Sequence, residues 1–353
     1  MQALLSTGYS DFESKCFYLC MQNYRLMSMI NQNQEQKWTA KVIAPLVGFT
    51  SDKNFLDFGD FTIRKIREDI IDSPGLGGIT KPQYEELREL FKSVEITKVS
   101  RDEEISLLEI YILCLEYIDS GGAITSPKYK IDELIKTFRL YKTGNIRNYF
   151  FIFTTSSYPG AQFSGGIVQL PYPSLEYYFP CSEINDFLTF KKDLTKLIPG
   201  EWNKNNRYIG VALRHFNFAK EKDNIEDKII DYVIALEALY LGKDSGEYSY
   251  RLANRSSLML NETFTKRKDR FKNIKNAYNW RSEIVHGTFD PAENEITDEE
   301  IEKIGDFVRI SIKKFLNLSK HYKKEKIYKL IDESLFGENE WDNLQKESTE
   351  LLF

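Results

Sequence analysis

The hydrophobic rhythm of the chain changes near residue 205. Upstream, short runs rich in Val, Ile, Thr and aromatic residues, bounded by Gly, Pro, Asn or Ser, predict strands over 39–47, 55–66, 149–155 and 167–170. Helical spacing interrupts them: Tyr84, Leu87, Leu90 and Phe91 predict a helix over 82–94, and a longer apolar helix is predicted over 103–117. Residues 156–180 read as loops around short strands. Downstream the pattern is almost wholly helical, with helices predicted over 207–220, 223–241, 248–260, 267–286, 298–318 and 322–335. Asp223 with Glu226, and Thr297 with Glu300, stand at capping-box spacing, while Gly242 and Gly287 stop their helices. The expected fold is α+β: an N-terminal mixed β/α domain over 1–204, an all-α bundle over 205–337, and an acidic tail over 338–353 that is solvated or loosely docked.

With 353 residues, 42% hydrophobic and 29% charged, the chain has the composition of a globular protein able to bury a sizeable core. No apolar run approaches the roughly 20 residues that span a bilayer, and the amino terminus lacks the order of a secretory signal. A cytoplasmic protein without a membrane partner is expected. Cys16, Cys20, Cys114 and Cys181 are scattered, so buried free thiols are expected rather than a zinc site or disulfide framework. The glycines of Pro74-Gly75-Leu76-Gly77-Gly78 lack the Lys and the strand-to-helix setting of a phosphate loop and read as a turn.

A net charge of −5 excludes a generic polyanion binder, so contact with nucleic acid requires a local patch. One exists: between Arg251 and Trp280 there are eight basic residues against two acids. Lys266, Arg267, Lys268, Arg270, Lys272 and Lys275 lead along one predicted helix, where they either draw in RNA phosphates or form an ordinary solvated face.

That helix ends on Arg281-Ser282-Glu283-Ile284-Val285-His286-Gly287. Ser282 and His286 are one turn apart, so the hydroxyl can orient the imidazole. Arg281 is turned about 140° from His286, so one helix does not focus both on one phosphate. Two helix ends related by a two-fold axis do. A histidine acting on the 2′-hydroxyl as general base or acid, with guanidinium groups stabilising charge on phosphorus, cleaves RNA without a metal or other cofactor. The plain alternative is a solvated His and Arg at a helix end. His215, on an aromatic helix, reads as a satisfied core or interface histidine, and His321 as an exposed one.

Two charges fall among apolar positions. Glu237 shares a face with Ile230, Val233, Ile234 and Leu241, and Arg255 shares one with Leu252, Ser256 and Met259. Because a buried lone charge is strongly disfavoured, a Glu237–Arg255 pair is expected, fixing helix register or supporting the helix that bears Arg281 and His286.

The runs Ala235-Leu236-Glu237-Ala238-Leu239, Tyr250-Arg251-Leu252-Ala253-Asn254-Arg255 and Arg281-Ser282-Glu283-Ile284-Val285-His286-Gly287, in that order, resemble the HEPN superfamily and within it the Apea-like group. The likeness covers residues 223–318. It implies a HEPN-like bundle of four or five helices that forms a homodimer. In many members this is a metal-independent endoribonuclease of antiphage defence, toxin systems or RNA-guided immunity, which implies an RNA substrate and an antitoxin or phage-derived trigger. Arg281 and His286 occupy the catalytic motif positions. Ser282 stands where active members often carry Asn, Asp or His. A non-catalytic HEPN module binding RNA, nucleotide or a partner protein is the other class that this resemblance admits.

Overall fold

The computed structural model describes residues 38–65, 111–119, 127–148, 150–155, 158–165, 175–198, 202–242, 246–260, 264–291 and 296–349. The helix expected over 82–94, the strand over 167–170, the turn at 74–78 and Cys16 and Cys20 lie outside them. The fold is α+β, an antiparallel sheet followed by a helical region. Described residues of Met1–Val47, Asn54–Glu133 and Asn148–Leu170 form one compact unit; those of Gly48–Lys53, Leu134–Arg147 and Pro171–Phe353 form a second. The second unit thus takes in segments well upstream of residue 205, where the composition shifts.

The first unit is built on a six-stranded sheet. Its strands are β1 (Trp38–Leu46), β3 (Phe55–Asp57), β4 (Phe61–Lys65), β5 (Tyr111–Asp119), β6 (Phe150–Thr155) and β7 (Tyr158–Gly165), in the order β3-β4-β5-β1-β6-β7. β1 pairs antiparallel with β5 from Trp38 opposite Asp119 to Leu46 opposite Tyr111. This corrects the helix expected over 103–117, whose later part is the strand β5. The run Tyr111-Ile112-Leu113-Cys114-Leu115 is apolar at every position, and periodicity does not separate a buried strand from a buried helix. β1 on one side and β4 on the other settle it by taking up both rows of backbone groups. Cys114, on this strand, is a free thiol whose pKa burial pushes up. The single strand expected over 55–66 is a hairpin instead. Gly59, at φ +86°, donates its N–H to Asp57 Oδ1 at 2.8 Å and folds β3 back on β4.

The second unit pairs β2 (Phe49–Thr50) in parallel with β8 (Tyr177–Tyr178) and then becomes helical. Phe49, Phe138, Phe179 and Phe187 form an aromatic cluster, with Phe138 stacked on Phe187 at 4.1 Å. Two of these rings sit on helices that the sequence reading did not foresee, α1 (Pro127–Tyr141) and α2 (Ile184–Leu197). The bundle proper is α3 (Arg207–Glu221), α4 (Ile225–Tyr240), α5 (Tyr248–Met259), α6 (Phe264–His286) and α7 (Asp298–Leu318). α4 packs against α3, α5, α6 and α7, and its Ile229, Tyr232, Val233, Leu236 and Leu239 are fully buried. Close approach of α7 depends on Gly305: a Cβ there would come within 2.7 Å of Tyr232 Oη. The Thr297–Glu300 capping box starts α7 as expected, with both reciprocal bonds present. The other expected box is corrected: Asn224 caps α4 by accepting from the Glu226 N–H, and Asp223 pairs with Arg147.

The acidic tail is not loosely docked. After α8 (Lys324–Glu333), residues Glu338–Ser348 form α9, with Leu344, Gln345 and Ser348 buried. Gln345 Nε2 donates to the Leu258 carbonyl, and Asn317 Nδ2 donates to the Ser348 carbonyl at 2.9 Å. A charged run tells of one solvated face; here it concealed an apolar position on the other. Among the described residues no helix is long and apolar enough to cross a membrane.

Candidate functional site

α6 carries the site, and its register sorts the predicted residues into two faces. Lys268, Lys272, Lys275, Asn279, Ser282 and His286 follow one another at spacings of four, three, four, three and four. They therefore line one stripe, about five turns and roughly 27 Å long. The three lysines and His286 are exposed. His286 is the last helical residue, and Gly287, at φ +68°, closes the helix: its N–H bonds to the Ile284 carbonyl and that of Thr288 to the Glu283 carbonyl. Nothing lies within 4 Å of a Cβ built on Gly287, so only its backbone conformation demands glycine. No hydrogen bond joins Ser282 to His286; the hydroxyl lies one turn below the ring without holding it.

Arg281 occupies the other face. It meets Glu237 of α4, with Nη2 and Oε2 3.9 Å apart and both side chains about three-quarters buried. Burial pushes the Glu237 carboxyl pKa up, and the Arg281 charge offsets this in part. Arg281 Nε is buried and has no hydrogen-bond partner. Tyr278, one turn before, has its hydroxyl pKa raised by burial and then by the Glu237 charge.

The expected Glu237–Arg255 pair is corrected by this arrangement. Arg255 Nε and Nη2 donate to the two carboxylate oxygens of Asp332 on α8 at 3.0 and 2.9 Å, and Nη1 donates to the Tyr240 carbonyl. Its guanidinium lies 4.4 Å from the Tyr328 ring centroid. The stripe expected from sequence coincides only in part with the core face of α4: Val233 is fully buried, but other positions on it are not. Ile230, Ile234 and Glu237 keep some exposure, Glu237 on the side that Arg281 of α6 occupies. Glu237 faces the motif helix at Arg281; Arg255 instead fastens α5 to α8.

The basic run is also divided. Arg270 is buried, donates to the Leu260 carbonyl at 2.8 Å and lies 4.5 Å from the Phe307 ring centroid. Arg267 lies over Trp341 of α9 at 4.9 Å. Both are structural cations. Lys266 is exposed but rotated away from the stripe.

A cleft of about 510 Å³ opens beside this stripe, lined by Glu247, Tyr248, Ser249, Tyr250, Lys275 and Tyr278. From the sequence alone Tyr248 is only the first residue of a helix. The available signal was two tyrosines flanking a serine directly after Gly246 and Glu247. His215 finds a partner in Asp231, Nδ1 to Oδ1 at 2.6 Å, joining α3 to α4, and His321 is exposed, each as expected. Among the described residues no group of three or more His, Cys, Asp or Glu is arranged to hold a metal ion.

Comparison with protein-family models, with curated proteins and with solved structures finds no match to this chain.

Proposed function

We propose that the protein is a HEPN-type endoribonuclease that cuts single-stranded RNA without a metal, at a composite site assembled from two copies of the chain. The observation that carries this reading is the stripe on α6: three exposed lysines aligned, turn by turn, with an exposed histidine at the helix end. A phosphate backbone following the lysines is led to His286. Arg281 is turned to another face and anchored by Glu237, so the guanidinium needed beside His286 comes from the second copy's helix. In this composite site the histidine of one chain takes the proton of the 2′-hydroxyl. The 2′-oxygen then attacks the adjacent phosphorus, and the bond to the 5′-oxygen breaks. A second His286 protonates the leaving 5′-oxygen, and Arg281 stabilises the charge on the phosphoryl oxygens. The products are a 2′,3′-cyclic phosphate and a 5′-hydroxyl. The N-terminal domain then senses a trigger or selects the RNA, in keeping with cytoplasmic antiphage defence or a toxin system held in check by an antitoxin or awaiting a phage component.

A non-catalytic module binding RNA, nucleotide or a partner protein is the second reading. It is favoured by Arg281 being engaged by Glu237 and by the lack of a hydrogen bond from Ser282 to His286. The two separate on incubation of purified protein with single-stranded RNA in EDTA. Cutting to 2′,3′-cyclic ends by wild type, absent in His286→Ala and absent on DNA, supports the nuclease. Cutting that persists in His286→Ala, or that requires magnesium, overturns it; tight RNA binding without cutting, in vitro and in expressing cells, moves the binding module to first place.

A further inference from the structure

The cleft at the start of α5 has the composition of a base-binding site. Tyr248 and Tyr250 remain 42% and 53% exposed, although each large aromatic surface left in water is unfavourable. Tyr250 is not loose, because its ring packs edge-on against Phe271 at 5.7 Å. Ser249 Oγ is buried at the cleft wall and has no hydrogen-bond partner. Gly246 and Glu247 both stand at positive φ, +96° and +51°. For Glu247 that left-handed conformation costs about 1 kcal/mol or more, and such strain gathers where a side chain must be presented in one direction. Here it places the glutamate in the lining of the cleft, together with the tyrosines and Lys275. Tyr278 also lines the cleft, and its raised pKa leaves its hydroxyl protonated and able to donate.

We propose that this cleft binds a single unpaired guanine of an RNA strand, stacked on Tyr248 or Tyr250, with its Watson–Crick edge against the Glu247 carboxylate and the adjoining phosphate on Lys275. Among the four bases only guanine presents two adjacent donors, N1–H and the N2 amino group, to a carboxylate that only accepts. Adenine and cytosine set one amino group beside an acceptor, and uracil flanks its one donor with two acceptors, so each brings an oxygen or nitrogen lone pair against Glu247. A volume of about 510 Å³ admits one nucleotide. Lys275 belongs to both the cleft and the stripe, and His286 lies three turns further along α6, roughly 16 Å away. The guanine is therefore read a few nucleotides from the bond that is cut. This inference rests on RNA being the ligand of the stripe, and it concerns recognition rather than cutting.

The test is the affinity of full-length protein for short single-stranded RNAs bearing 2′-O-methyl groups throughout, which 2′-hydroxyl attack does not cleave. Strands with one guanine are compared with strands carrying inosine, adenine, cytosine or uracil there. The expected result is binding about tenfold or more tighter for guanine, with inosine, which lacks the N2 amino group, losing most of that advantage. Glu247→Gln keeps the side-chain shape and should erase the guanine preference while leaving the salt dependence unchanged. A variant with both Tyr248→Ala and Tyr250→Ala should weaken every strand by about fivefold or more. The inosine comparison needs no altered protein, so it stands even where a variant fails to fold. Equal affinity for all bases, or a guanine preference that survives Glu247→Gln, overturns the proposal even if the protein cuts RNA. Guanine preference without any cutting upholds it and leaves the nuclease reading to fail alone.

Discussion

Glu237 on α4 and Arg281 on α6 face each other at 3.9 Å, with side chains 24% and 28% exposed. The separation exceeds a hydrogen bond, so the arginine answers the charge of the glutamate without replacing its lost water. The folded-state pKa of Glu237 is accordingly above the ordinary glutamate value. In the window just above that value the folded chain keeps a proton that the unfolded chain has released. Stability therefore falls as pH rises through the window, and the full loss is present above the folded pKa. Glu237→Gln should be more stable than wild type at neutral pH, with the gain shrinking as pH drops into the ordinary carboxylate range. Arg281→Met should widen the window. Urea denaturation across a pH series reads this directly; a Glu237→Gln chain destabilised equally at every pH would show the pair to be net favourable.

Arg255 predicts a different coupling. Arg255→Met leaves the Tyr240 carbonyl without its donor, at a cost of about 1 to 3 kcal/mol, whereas Asp332→Asn keeps that bond and should cost less because Asp332 is half exposed. A double-mutant cycle should give clear coupling between positions 255 and 332 and almost none between 255 and 237. Strong coupling of 255 with 237 would restore the pairing suggested by the sequence and contradict the observed geometry.

These two pairs mark how far sequence reading reaches. The ends of α6 and α7 were legible because local chemistry sets them: Gly287 stops one and Thr297 with Glu300 starts the other. That Glu237 and Arg255 needed partners was also legible, since burial of each follows from its apolar neighbours. Which partner each takes was not, because Asp332 and Arg281 arrive from helices whose packing no spacing within α4 or α5 encodes. β5 failed for the same reason at another level. Tyr111–Leu115 is extended because strands on both sides claim its backbone groups, and an unbroken apolar run is silent about that. The cleft tyrosines were invisible as a site until α5 and α6 brought Tyr248, Tyr250 and Tyr278 around one space.

The basic run should separate into two kinds of cation. Replacing Lys268, Lys272 or Lys275 by Gln should lower RNA affinity for all sequences and reduce the slope of log affinity against log salt by about 0.7 each, the value for single strands. Melting temperature should hardly change, since all three are exposed. Arg270→Gln should do the reverse, destabilising the bundle by about 1 to 3 kcal/mol through the orphaned Leu260 carbonyl while leaving the salt slope intact. Fluorescence anisotropy over a salt series, with thermal melts of the same variants, checks both halves. A salt slope that drops for Arg270→Gln but not for the lysines would move the RNA path off this stripe.

The orientation of Arg281 away from His286 on one helix makes the strongest demand on assembly, because a productive centre then draws its two groups from different chains. Wild-type protein should sediment as a dimer at the concentrations where it cuts RNA. Arg281→Ala and His286→Ala chains should each be inert as homodimers, while a heterodimer of the two, isolated through different tags, should recover part of the wild-type rate. In that heterodimer the intact histidine of one chain faces the intact arginine of the other, while the second histidine is missing, so the leaving 5′-oxygen takes its proton from water and only part of the rate returns. The Arg281→Ala chain leaves Glu237 without its counter-charge, so its assay belongs well below its melting temperature, with Glu237→Gln added if the single variant is too unstable. Rescue in the heterodimer, with 2′,3′-cyclic ends, would fit groups acting across the two-fold. An active monomer, or a heterodimer no better than its parents while mixed wild-type dimers with either variant stay active, would mean that each chain carries a complete centre.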